Sequence, residues 1–243
     1  MQKKKAINNY YISYNKNSLI KEVKKVNMHV HGWHLPSDDT YFKNVLDDAV
    51  RNGLPPEYQL PHRLAALKAV EKFGVALDVG AHLGFWSRHL AKEFKIVHSF
   101  EPSKNYISLL KLNAPDVIIH DFALGEKEGL GELFLPNVNS GAAFIAHNAS
   151  GHKKINIKTL DSLNIENIDF IKLDCEGYEY PVILGGTNTI TRCRPVMCLE
   201  QKKGVSGRYD HNQYQYRALE YLIEKLNYKV VDRVVDDWVL KTC

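Results

Sequence analysis

The chain has 243 residues, of which 44% are hydrophobic, 25% charged and 10% aromatic; these proportions exclude a disordered or fibrous protein. This length supports one substantial core with appendages rather than two full domains. The net charge of +4 is mild and gathers near the start, where Lys3, Lys4, Lys5, Lys16, Lys21, Lys24 and Lys25 face only Glu22. That run reads as a solvated arm. The cysteines, Cys175, Cys193, Cys198 and Cys243, form no CxxC pair, which points to reduced thiols and a cytoplasmic setting. The first residues lack the apolar core of a signal peptide, and no apolar run approaches the roughly 18 residues of a membrane span.

In chain order, residues 1–61 read as an extension that packs on or over a main domain formed by residues 62–243. The extension holds few apolar residues, a short helix around 40–52, and the interruptions Pro55, Pro56 and Pro61. A helix is expected over 62–73, with Leu64, Leu67 and Val70 on its apolar face and Gly74 as its stop. Strands are expected at 75–79, 95–100, 117–120, 155–158, 168–173 and 196–200, with helices following the first two, to about Phe94 and over 104–113. Strands separated by helical stretches predict a parallel sheet with crossover helices. A helix over 216–226 precedes two strands, 228–233 and 238–242, joined by an acidic turn at Asp236 and Asp237. The fold class is therefore α/β and Rossmann-like: a mostly parallel seven-stranded sheet with an antiparallel C-terminal hairpin and helices on both faces.

The stretch Val75-Ala76-Leu77-Asp78-Val79-Gly80-Ala81-His82-Leu83-Gly84-Phe85 is a buried strand that ends in an acid, turns through two glycines and enters a helix at about Phe85. Glycine there lets backbone come close to a ligand. The GxxxG spacing differs from the GxGxxG that seats a pyrophosphate, and Asp78 would repel phosphate. An acid beside the glycines suits the ammonium and hydroxyls of S-adenosylmethionine (SAM), with Gly80, Ala81, His82 and Gly84 forming the turn. About twenty residues on, Phe100-Glu101-Pro102 ends the next strand and puts the Glu101 carboxylate where a ribose diol would lie. The following strand ends in Asp121-Phe122-Ala123-Leu124-Gly125, which places Asp121 and Ala123 at the adenine edge.

Together with Ile171-Lys172-Leu173-Asp174-Cys175-Glu176-Gly177-Tyr178-Glu179 and the later segment from Arg194 to Glu200, these motifs resemble the FkbM family of methyltransferases. The resemblance spans roughly residues 75–200 and joins five short motifs in order. It implies a SAM-dependent methyltransferase acting on a hydroxyl of a carbohydrate or small metabolite. Two positions depart from the family pattern: His82 stands where Asn is usual, and Tyr178 where His is common.

Methyl transfer is an in-line displacement in which the protein positions the acceptor, excludes water and removes the hydroxyl proton. Asp174, at a strand end, is the expected general base and also a cofactor neighbour. Glu176 and Glu200 are the next candidates. Glu179 reads as a first-turn helix acid and Lys172 as a structural ion-pair partner. Asp174, Glu200 and Gln201 could together supply hard oxygen ligands, but no metal is expected. The polar stretch Asn137 to Ala143 reads equally as a cleft border or a surface loop.

Amine methylation of nucleic acid brings Asn or Asp followed by Pro-Pro and an aromatic residue at the fourth strand, and this chain has Asp174-Cys175-Glu176-Gly177 instead. No Pro-Cys nucleophile for cytosine chemistry is present, so nucleic acid is disfavoured as a partner. The aromatic and basic stretch 209–217 reads as a surface approach to a helix. A nicotinamide-dependent oxidoreductase and a non-catalytic cofactor-binding module stand as the alternatives. Acceptor identity and oligomeric state have no signature in the sequence.

Overall fold

The apolar runs at Val75–Val79, Ile168–Leu173 and Val196–Glu200 form the centre of a mixed seven-stranded sheet. The computed structural model describes residues 27–135, 140–146, 153–201 and 217–242. The lysine-rich arm, residues 137–139 of the polar stretch, residues 209–216 and Cys243 lie outside them.

A hairpin of β1 (Asn27–Val30) and β2 (Trp33–Pro36) leads into α1 (Thr40–Arg51) and α2 (Leu60–Lys68). Then β3 (Val75–Val79), α3 (Ser87–Glu93), β4 (Ile96–Phe100), α4 (Lys104–Asn113) and β5 (Ile118–His120) alternate. Four short strands follow: β6 (Ala123–Leu124), β7 (Gly129–Phe134), β8 (Phe144–Ala146) and β9 (Lys153–Lys158). The alternation resumes with β10 (Ile168–Leu173), α5 (Glu179–Leu184), α6 (Thr187–Cys193), β11 (Val196–Glu200) and α7 (Ala218–Leu226), and closes with β12 (Tyr228–Val234) and β13 (Asp237–Thr242).

The main sheet runs β12-β13-β11-β10-β3-β4-β5. β11, β10, β3, β4 and β5 are parallel, and β13 runs against both of its neighbours. Side chains alternate across the sheet as strand geometry requires. Leu77, Val79, Ile171, Leu173, Met197 and Leu199 pack with residues of α5, α6 and α7 on one face. Ala76, Val97, Phe170, Val196 and Cys198 pack with Ala66, Trp86 and Leu90 on the other. A third cluster joins Trp33, Leu35, Phe42 and Leu46 to Leu83, Phe85, Tyr106 and Leu109, so the hairpin and α1 bury their apolar side chains directly on the glycine turn and α4. Asn113 ties the same pieces together, exchanging bonds with the His34 backbone at 2.8 and 2.9 Å and donating to Leu83 O at 2.8 Å.

Several local expectations need correcting. α2 begins at Leu60 and ends at Lys68, because Pro61 is tolerated in a first turn, where its missing N–H costs nothing. Its buried face carries Arg63 and Ala66, with Val70 buried just beyond its end, while Leu64 is 58% exposed; Arg63 turns inward because its guanidinium is bonded to Glu57. The strand expected at 155–158 belongs to a separate four-stranded sheet, β6-β9-β7-β8. In the C-terminal hairpin Asp237 is a buried strand residue, and the turn falls on Val235 and Asp236. Helix α3 starts at Ser87, two residues beyond the expected Phe85. Among the described residues no helix is long and apolar enough to cross a membrane.

Candidate functional site

The C-terminal tips of β3, β4, β10 and β11 converge on one cavity, the usual ligand position in open α/β sheets. Gly80, Ala81, His82, Glu101, Pro102, Ala123, Asp174, Glu176 and Glu200 all line it, whereas Asp78, Gly84 and Asp121 do not.

Asp78 is fully buried beneath the floor. Its Oδ2 accepts from Ser87 Oγ at 2.6 Å, and its Oδ1 lies 3.7 Å from Lys172 Nζ, its cross-strand neighbour in register. Burial pushes the Asp78 carboxyl up, opposed by Lys172 and Ser87. Lys172, read from sequence as structural, also donates to Gly80 O at 3.2 Å and lies 3.5 Å from Asp174. Desolvation works against its charge, yet Asp174 and Asp78 outweigh it and hold the ammonium protonated. One cation therefore joins the floor carboxylate to the wall carboxylate.

The glycines answer to the chain's own packing. Gly80 has φ +80, and a Cβ there would overlap the Asp174 carbonyl oxygen. Gly84 has φ +89, and a Cβ there would come within 2.7 Å of Leu110 Cδ1. The close approach that glycine permits is thus between the glycine turn and the end of β10, and between that turn and α4.

Glu101 is buried on the cavity wall. Its Oε2 accepts from His82 N at 2.9 Å and its Oε1 from Ser103 N at 2.8 Å. Burial pushes its pKa up to about 7 against the pull of those two amides and of Lys172. Each carboxylate oxygen retains a second lone pair. The wall beyond it is apolar, formed by Ala123, Leu124, Leu133, Phe144 and Ile145. Asp121, just past the end of β5, faces solvent, and its neighbour Phe122 turns inward against Phe100.

His82 sits at φ +51, with its ring against Phe42 and Tyr106. Its Nε2 lies 2.8 Å from Ser140 Oγ, and Ser140 Oγ is bonded to Asp39. A carboxylate only accepts, so the serine proton goes to Asp39 and the shared imidazole proton sits on His82 Nε2. Desolvation, followed by the charge of Lys172, lowers the His82 pKa to about 3, so the ring is a neutral donor.

Asp174, Glu176 and Glu200 come together, with one oxygen from each within 4.8 Å of the others. The backbone reversal at Glu176 (φ 52) and Gly177 (φ 104) turns Glu176 back to the cavity. Glu179, whose pKa burial raises to about 7, accepts from Cys175 N at 2.8 Å and Gly177 N at 3.1 Å, so it closes the loop that carries Asp174 and Glu176. The three carboxylates are near enough to share a hard cation, although proximity alone makes no metal centre. Gln201 is engaged elsewhere: its Oε1 accepts from Leu219 N at 3.0 Å.

Phe42, Tyr58, Gln59, Phe85, Trp86 and Tyr106 also line the cavity, and none was expected from the motifs. Tyr58 and Gln59 precede the first core strand and follow two prolines, so neither strand alternation nor helix period marks them.

A family model described as the Methyltransferase FkbM domain matches residues 78–230. No curated protein matches the chain. A crystal structure of Methyltransferase FkbM from Methylobacillus flagellatus aligns at 17% identity with a TM-score of 0.50, over 84% of this chain and 55% of that one. The present chain thus matches little more than half of that structure's length. A TehB-like SAM-dependent methyltransferase from Corynebacterium glutamicum aligns at 10% identity and TM-score 0.45, over 81% and 92%. A methyltransferase from Geobacter sulfurreducens aligns at 13% identity and TM-score 0.43, over 85% and 89%.

Proposed function

The chain belongs to the FkbM methyltransferase family, and we propose that it transfers the methyl group of SAM to a hydroxyl oxygen of a carbohydrate or other small metabolite. The observation that carries this reading is the buried Glu101 carboxylate on the cavity wall, held by two backbone amides beside an apolar face. Two adjacent ribose hydroxyls need an acceptor of that kind, and an adenine ring needs a flat apolar wall such as Ala123, Leu124 and Phe144 provide.

When bound, SAM supplies an electrophilic methyl on a sulfonium. The residues of this chain do the rest by position and charge. Asp174 offers a carboxylate both to the cofactor's cationic end and to the acceptor proton, with Lys172 Nζ 3.5 Å from its Oδ2. Glu176 and Glu200 give that proton further acceptors within a few ångströms. Neutral His82 places no like charge near the sulfonium. Phe42, Tyr58, Phe85 and Trp86 shield the acceptor end from water.

Calorimetric titration with S-adenosylhomocysteine (SAH) and, separately, with NAD tests the reading. SAH binding without NAD binding is expected. Binding of neither at millimolar concentration, or of NAD alone, refutes it. Asp174→Asn should weaken SAH binding and lose transfer to any acceptor found.

A further inference from the structure

At the end of the cavity beside Glu176 and Glu200, one wall comes from Tyr58 and Gln59, which close the short segment that begins at Pro56. It is firmly held. Trp33 Nε1 donates to Pro56 O at 2.7 Å, Glu57 bonds the buried Arg63, and Gln59 O accepts from Arg63 N at 3.1 Å. Its orientation follows from His62, three residues into α2, which lies 3.7 Å from Asp237; Asp237 is the register partner of Glu200. The start of α2 therefore stands over the end of β11.

Gln59 itself has φ 53 and ψ 33, a left-handed backbone that costs a non-glycine residue on the order of 1 kcal/mol. Its side chain is fixed as well. Trp86 Nε1 lies 2.6 Å from Gln59 Oε1, and because an indole nitrogen can only donate, the carboxamide has one permitted orientation. No described residue is bonded to its Nε2, and Gln59 lines the cavity. A strained, oriented amide thus presents N–H donors on a wall that otherwise offers carboxylates and aromatic rings.

Resting on the methyltransferase reading above, we propose that Gln59 is a specificity-determining residue for the methyl acceptor, and that this acceptor is an uncharged polyol. The Gln59 Nε2–H bonds one of its oxygens. Glu176 and Glu200 accept from its hydroxyls, while Tyr58 and Trp86 cover its apolar face. Three carboxylates at this end turn away an anionic acceptor.

Gln59→Glu tests this cleanly, because it keeps an oxygen for Trp86 while removing the N–H donor. Wild type and Q59E, both loaded with SAH, are compared by saturation-transfer NMR against methyl α-glucopyranoside, methyl α-rhamnopyranoside and myo-inositol, with glucuronate as the charged control. At least one neutral polyol should bind wild type and bind Q59E at least tenfold more weakly. Glucuronate should give no signal, while SAH affinity and melting temperature stay the same in both proteins. SAH binding with no polyol signal, equal polyol binding by Q59E, or glucuronate binding as well as the neutral compounds would overturn the inference alone. Failure of wild type to bind SAH would sink the methyltransferase reading, and this inference with it.

Discussion

The pKa of Glu101, raised to about 7 by burial, makes cofactor affinity depend on pH with a predictable sign. Ribose hydroxyls donate to an ionised carboxylate, so the form that binds best is the deprotonated one. In the free protein at pH 6 about nine-tenths of Glu101 carries its proton, and at pH 8 about one-tenth does. The SAH dissociation constant should therefore rise about tenfold between pH 8 and pH 6, which is about 1.4 kcal/mol. Near pH 6, binding should release close to one proton, visible as a calorimetric enthalpy that changes with the ionisation heat of the buffer. Glu179 titrates in the same range but lies off the cavity, so Glu101→Gln decides the assignment. E101Q should bind at least tenfold more weakly at pH 8 and show a flat profile. A wild-type constant unchanged from pH 6 to pH 8, or an E101Q profile with the wild-type slope, would refute the reasoning.

Gly80→Ala places a Cβ on the Asp174 carbonyl at φ +80, and strain with overpacking should together cost about 2–5 kcal/mol in denaturant unfolding. Phe42→Ala removes a ring buried among Phe85, Tyr58 and His82; a loss of about 3–5 kcal/mol is expected, with weaker SAH binding because His82 loses its support. Lys172→Met leaves the Asp78 carboxylate buried without its cation and should cost about 3–5 kcal/mol, most of it recovered in the double variant with Asp78→Asn. A K172M protein as stable as wild type would show that the pair carries no weight.

The main sheet was legible because its central strands are buried on both sides and read as short apolar runs between turns. The order of the motifs then located the cavity, since strand tips of a parallel sheet share one edge. The β1–β2 hairpin was missed although His31 and Gly32, both at positive φ, mark its turn; the flanking pairs Met28 with Val30 and Trp33 with Leu35 are too short to stand out. The β7 segment carries two glycines and an exposed Leu130, so its alternation is faint. Sequence spacing placed Asp78 and Asp121 at the right strand ends but could not say which way each side chain turns. One points under the floor and the other into solvent. Gln59 escaped notice because a left-handed residue after two prolines has no periodic signature.

The bond chain from His82 through Ser140 to Asp39 joins the glycine turn, the loop before β8 and the start of α1. Each of these comes from a different stretch of polypeptide, and only the first two fall within residues 78–230. Anyone transplanting the leading segment of another family member onto this scaffold would therefore exchange the wall that Phe42, Tyr58 and Gln59 give the cavity while leaving the carboxylates at the strand tips in place. Such a chimera needs an acid in the place of Asp39; without it the serine proton has no destination, and the imidazole beside the glycine turn loses its fixed tautomer.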